Sequence, residues 1–142
     1  MILPDVNVLV YAAREDADDH VRYAGWLASV LNGTEAFGVS DLVMAGVIRV
    51  ITHPRIFQRP STQRQAFEFV EAIRERPQCV RVAPGERHWS IFRELCSASS
   101  ARGGMVHDAY LAAMAIETGS EWITTDRDFS RFPGLRWRHP IR

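Results

Sequence analysis

Short apolar runs take turns with longer stretches of helical period along this chain. Strands separated by helices of ten or more residues need crossover connections, so they run parallel in a sheet covered on both faces. Ile2-Leu3 reads as the end of a first buried strand, followed by helical positions Val8, Leu9, Tyr11 and Ala12. Val21, Ala24, Ala28 and Leu31 recur at helical spacing and predict the buried stripe of a helix ending at Asn32-Gly33. Residues 36–39 read as a second strand, and Ser40 or Asp41 can cap a helix running to about Thr52, where His53-Pro54 ends it. Pro60-Ser61 opens a helix with Ala66, Phe69, Val70 and Ile73 on one face. Residues 79–82 predict a third strand, Trp89, Phe92 and Cys96 a further helix, and residues 106–118 another that stops at Gly119. Residues 122–125 are a β-branched strand, and residues 135–137 suit a last edge strand. The expected architecture is α/β, with three layers and a central, mostly parallel sheet.

In open parallel sheets, ligands bind outside the C-terminal ends of the strands. Asp5 follows the first predicted strand and Asp126 follows a late one, so both fall at that edge. Asp128 lies two residues further on, and Asp108 is placed in the first turn of the 106–118 helix. Each acid alone has a structural explanation, as a complement to a helix dipole or as a cap of the turn at Phe129-Ser130-Arg131. Together they pose a conflict, because gathered carboxylates repel one another and raise their own pKa values. A divalent cation removes that conflict. Hard oxygen donors select Mg²⁺ or Mn²⁺ over zinc, and no His/Cys set with zinc spacing competes. Such an ion lowers the pKa of a bound water and stabilises charge on a phosphate. Asn7 is the expected neutral partner that orients Asp5.

The totals are compatible with an enzyme. A chain of 142 residues is the size of one domain, and 1–142 is read as such because Pro and Gly fall as punctuation, without a linker. The formal net charge is zero, which argues against a polybasic nucleic-acid binder but not against a local basic rim. All 17 basic residues are arginine, a bias of G- and C-rich coding that also suits phosphate contact. Cys79 and Cys96 stand in no metal spacing, and the Met-Ile-Leu-Pro-Asp start has no basic n-region. No apolar run approaches the ~18 residues needed to span a bilayer, so a soluble, cytoplasmic protein with no membrane partner is expected.

Three motifs then carry a resemblance that spans essentially the whole chain in order. Pro4-Asp5-Val6-Asn7-Val8-Leu9 resembles the opening Asp-x-Asn motif of PIN-domain nucleases. His107-Asp108-Ala109, followed by Ala112-Ala113-Met114-Ala115, resembles their third acidic motif, and Thr124-Thr125-Asp126-Arg127-Asp128-Phe129 their closing Thr-x-Asp-x-Asp-Phe signature. The subgroup it is most similar to is the VapC-type toxins of type II toxin–antitoxin pairs, in particular the actinobacterial set. The resemblance implies a PIN-like α/β/α fold and a Mg²⁺-dependent endoribonuclease acting on RNA. It also implies a homodimer and inhibition by a cognate VapB-like antitoxin whose tail enters the groove. By motif, Asp5, Asp108 and Asp126 would bind metal, Asp128 would assist, and Thr125 joins Asn7 as a supporting residue.

One position departs from the family pattern. A Glu is usual about six residues past a Ser in the helix after the second strand, and counting from Ser40 that place is Gly46. Asp41 lies roughly 140° away around an ideal helix and is a poor substitute. Arg49, one turn past Gly46, shares its face and is a candidate phosphate contact. The missing acid leaves a second reading open: a catalytically weak PIN-like module that binds RNA or antitoxin. A haloacid-dehalogenase-like phosphatase is disfavoured because Asn7 stands where that chemistry needs a second Asp. His107, beside Asp108, reads as a surface or capping residue, with a general acid or phosphate contact as the alternative. Arg55, Arg59 and Arg64 surround a Pro-punctuated segment read as a flexible loop near the groove, either gripping RNA or simply solvated, and the backbone of Arg102-Gly103-Gly104 could help cradle a phosphate but is too short to name a nucleotide site. The four Trp are expected in the core or at a dimer surface, and nothing in the pattern marks Trp137 or Phe57 for base stacking.

Overall fold

The computed structural model describes all residues, 1–142. Five strands form one all-parallel sheet: β1 (Ile2–Pro4), β2 (Phe37–Ser40), β3 (Cys79–Val82), β4 (Glu121–Ile123) and β5 (Trp137–Arg138), in the order β3-β2-β1-β4-β5. Six helices connect and cover them: α1 (Val6–Ala13), α2 (His20–Asn32), α3 (Asp41–Ile51), α4 (Gln63–Arg74), α5 (His88–Ser99) and α6 (Gly104–Glu117). The expected α/β architecture with a parallel sheet is what the chain adopts. No helix is long and apolar enough to cross a membrane.

The sheet order positions the site. The chain starts in the middle at β1, steps one way to β2 and β3, then returns to β4 on the other flank. The strand order therefore reverses between β1 and β4, and at such a switch point the following loops part and leave a crevice. Leu3 is paired with Trp122 and Pro4 with Ile123, so Asp5 and Thr124 emerge side by side. The Asp5 N–H donates to the Ile123 carbonyl at 2.8 Å, carrying the ladder one residue past the strand.

Helix boundaries follow their caps. The Ser40 hydroxyl accepts the Leu42 N–H at 3.2 Å and starts α3. Thr62 and Gln65 close a reciprocal capping box that starts α4. Gly103, at φ 59°, sets the start of α6 at Gly104. That start is earlier than the motif suggests, so Asp108 lies in the second turn and not the first. The dipole explanation for this acid weakens accordingly, because the effect fades beyond the first turn.

The α2 stripe also differs from the expectation. Val21 is 81% exposed and Ala28 is exposed, whereas Tyr23 and Leu27 are buried. Both faces satisfy a helical period. Burial went to the face carrying the larger side chains, where more apolar area leaves water. Among the tryptophans, Trp122 is buried, Trp26 and Trp137 are partly buried, and Trp89 is 68% exposed. The core joins both sides of the sheet through Leu9, Phe37, Val47, Ile73, Met114 and Trp122.

Candidate active site

Asp5 is the N-cap of α1. Its Oδ1 accepts the Val6 N–H at 2.7 Å, and its Oδ2 accepts the Thr124 hydroxyl proton at 2.7 Å. The Thr124 Oγ1 in turn accepts the Asp126 N–H at 3.0 Å. One buried threonine thus joins the two acids that follow β1 and β4. Asp126 is itself fixed, since its Oδ1 caps the 3₁₀ turn Arg127–Arg131 by accepting the Asp128 N–H at 2.9 Å. That turn is anchored by Phe129, buried against Trp122 with ring centroids 5.5 Å apart.

Asp5, Asp108 and Asp126 line one cavity of about 990 Å³, together with Asn7, Thr125, Gly46, Arg49 and His107. Asp128 is exposed, does not line that cavity, and lies 3.9 Å from Arg131. Arg55, Arg59 and Arg64 do not line it either, and Arg64 is paired with Glu68 at 3.1 Å. The 53–61 segment, read from sequence as a loop, makes hydrogen bonds to Ile51 and to Arg14.

Two supporting positions turn out differently from the motif reading. Asn7 makes no hydrogen bond to Asp5, and its Oδ1 is buried without a partner. Orientation of Asp5 falls instead to the Val6 N–H and to Thr124. Thr125 reaches the cavity wall, but its neighbour Thr124 makes the buried bonds. The tandem threonine at the end of a buried strand was the available signal, because one of the two had to point inward.

Electrostatics follow from burial. Asp5 is raised from 3.8 to about 6, chiefly by desolvation, with the charges of Asp108 and Asp126 adding to it. The bonds from Thr124 and Val6 act the other way. Asp108 is raised too, by burial first and then by Asp126, while His107 opposes the rise. A site that destabilises its own carboxylates is short of positive charge. As they stand, no three His, Cys, Asp or Glu side chains are gathered closely enough to hold a metal ion. Their donor chemistry nevertheless suits one. The three acids that line the cavity offer carboxylate oxygens, and Asn7, whose Oδ1 is buried without a partner, lines it too.

Gly46 has a packing reason. A Cβ built there would meet Val6 Cγ2 at 2.9 Å, so α3 rests on Val6 where a side chain would otherwise project. Asp41 does not replace the missing acid, because it pairs with Arg74 at 3.1 Å and stays outside the cavity. Gly46→Ala is expected to destabilise the protein by about 1–2 kcal/mol, since overpacking against a stiff β-branched side chain outweighs the helix-propensity gain. In a Val6→Ala background the same change should become neutral or favourable. Urea melts of the four proteins in this cycle check it, and additive effects would refute the contact.

A PIN-domain family model matches residues 2–135. Ribonuclease VapC43 of Mycobacterium tuberculosis is 46% identical over 141 residues, 99% of this chain and 96% of its own length. The chain belongs to the PIN-domain family of VapC ribonucleases. The fold agrees with that membership. VapBC2 from Rickettsia felis, solved bound to a DNA fragment from its promoter, contains a chain that superposes with TM-score 0.69 at 18% identity, covering 98% of both chains. The Mycobacterium tuberculosis VapC20 structure, described as a sarcin–ricin loop cleaving toxin, gives 0.65 at 17%, covering 96% of this chain and 99% of that one. At such identity the likeness is one of fold.

Proposed function

We propose that residues 1–142 form a single PIN domain that acts as a Mg²⁺-dependent endoribonuclease, the toxin of a type II toxin–antitoxin pair. The observation that carries this reading is the buried Asp5–Thr124–Asp126 bridge at the β1/β4 switch point, which holds two of the three acids that line one cavity with Asp108. Asp5, Asp108 and Asp126 would hold the ion, and Mn²⁺ suits the same oxygens. When bound, the cation supplies Lewis-acid charge and an acidic water. The protein's part is positioning. Asp5 is held by two short bonds, Asp126 by its capping role, and Asp108 by a helix whose next turns are core. Asp128, beside the mouth, assists through charge and not through contact.

The substrate is RNA, gripped by its phosphates. Arg49 and His107 are exposed, line the cavity, and have no acidic partner within ion-pair distance. Arg49→Ala is expected to raise KM for RNA about tenfold, leave kcat within about twofold, and reduce the salt dependence of binding by about one phosphate contact. Unchanged affinity and salt slope would remove Arg49 from the substrate path.

A cognate VapB-like antitoxin is the proposed inhibitor and a homodimer the proposed assembly, both working in the cytoplasm. The likeness to a chain of VapBC2 from Rickettsia felis supports the first. The decisive experiment incubates the purified protein with structured RNAs, with and without Mg²⁺ or Mn²⁺. Metal-dependent cleavage is expected. Gly46 in place of the usual Glu favours one second reading, a weak PIN-like module that binds RNA or antitoxin. Binding without cleavage in either metal would select it.

A further inference from the structure

The cavity that contains the three acids is also lined by Ile56 and Phe57, from the connection between α3 and α4. This connection is tied by hydrogen bonds at both ends. The His53 carbonyl accepts the N–H groups of Ile56 at 3.2 Å and Phe57 at 3.1 Å, and His53 Nδ1 accepts the Arg55 N–H at 3.0 Å. At the far end, the Ser61 N–H donates to the Ile51 carbonyl at 2.8 Å.

Arg14, at the C-cap of α1, pins the loop from outside. Its guanidinium donates to Ser61 Oγ at 3.0 Å and to the Arg59 carbonyl at 2.8 Å. It donates to both Asp16 carboxylate oxygens at 2.9 and 2.7 Å, and its Cζ lies 4.2 Å from the Phe57 ring centroid. The side chain is only 11% exposed. The two Asp16 bonds orient the planar fork, which then reaches two loop groups and an aromatic ring at once. A lysine has no such geometry. The carboxylate of Asp16 also neutralises Arg14, so the clamp brings no free charge to the groove.

The loop so fixed leaves Ile56 51% exposed on a cavity whose other members include carboxylates. An exposed aliphatic side chain beside a held aromatic ring suits the flat face of a nucleobase. Unpaired RNA bases are the parts of the substrate that offer such faces. Resting on the ribonuclease reading above, we propose that the 53–61 loop is the base-contact wall of the groove. Ile56 and Phe57 receive a nucleobase near the scissile phosphate, and Arg14 is their positioning residue.

The test is a cleavage-site map with steady-state kinetics on a single-stranded RNA of mixed sequence, in Mg²⁺ or Mn²⁺. Ile56→Ser alters an exposed residue and leaves the core alone. Ile56→Ser and Phe57→Leu are expected to raise KM about tenfold, keep kcat within about threefold, and broaden the bases found at the cut. Phe57→Tyr keeps a ring and should retain the parent map. Arg14→Gln should shift the map in the same direction as Phe57→Leu although the ring is still present. A parent that cuts, beside folded Ile56→Ser and Phe57→Leu proteins with unchanged KM and map, overturns the wall while the nuclease stands. A parent that cuts no RNA in either metal overturns the ribonuclease reading and this inference with it.

Discussion

Asp126→Asn and Asp5→Asn are each expected to lower single-turnover RNA cleavage by roughly a thousandfold or more, the scale of several kcal/mol of lost charge stabilisation around a metal. Asparagine preserves shape and can still accept the Val6 or Asp128 N–H, so the caps survive and the loss is one of charge. Thr124→Val gives a graded result. It keeps the buried volume but removes the hydroxyl that donates to Asp5 and accepts from Asp126. Residues of that kind usually contribute about 10–100-fold. Asp128→Asn, outside the cavity, should cost less than about tenfold. Cleavage that survives both Asp5→Asn and Asp126→Asn would point to a contaminating nuclease, and a fully active Thr124→Val would remove the bridge from the mechanism.

Stability should answer to pH through the same residue. Asp5 moves from 3.8 to about 6 on folding, so across that window the native state holds a proton that the unfolded chain has released. Stability contributed by the protonated form is complete below the unfolded value and is lost as pH rises through about 6. Above it, the ionised and buried carboxylate costs about 2–3 kcal/mol. Asp5→Asn should therefore raise stability over the parent at pH 8 and gain little at pH 4, in EDTA. Adding Mg²⁺ at pH 8 should stabilise the parent, by about 2.7 kcal/mol at one hundred times its Kd, and the variant far less. Parallel pH profiles for the two proteins in chelator, with equal responses to Mg²⁺, would contradict a strained Asp5. The expected trade is a more stable, inactive protein, as befits a site that stores unfavourable charge.

The order of strands and helices was legible because it depends on local period and on caps. Ser40, Asn32-Gly33 and His53-Pro54 mark boundaries by chemistry acting within a few residues. The meeting of Asp5 with Asp126 was also legible, since parallel strands direct their C-terminal ends to one edge and both acids follow strands. The buried face of α2 was not legible from periodicity, because two apolar stripes satisfied the same period and only the larger apolar area of Tyr23 and Leu27 separated them. Nor was the choice of Thr124 over Thr125, which depends on the strand's inward register.

The parallel α/β frame and the approach of Asp5 to Asp126 thus followed from strand and helix signals in the sequence, while Asp108 was singled out by the resemblance of its motif. Tertiary structure decided the rest. It set Val6 against Gly46 where a Glu is usual, left the Asn7 Oδ1 without a partner, and joined Arg14 to Ser61. Contacts between residues so far apart along the chain leave no periodicity to read. They exist only once packing has chosen which surfaces meet.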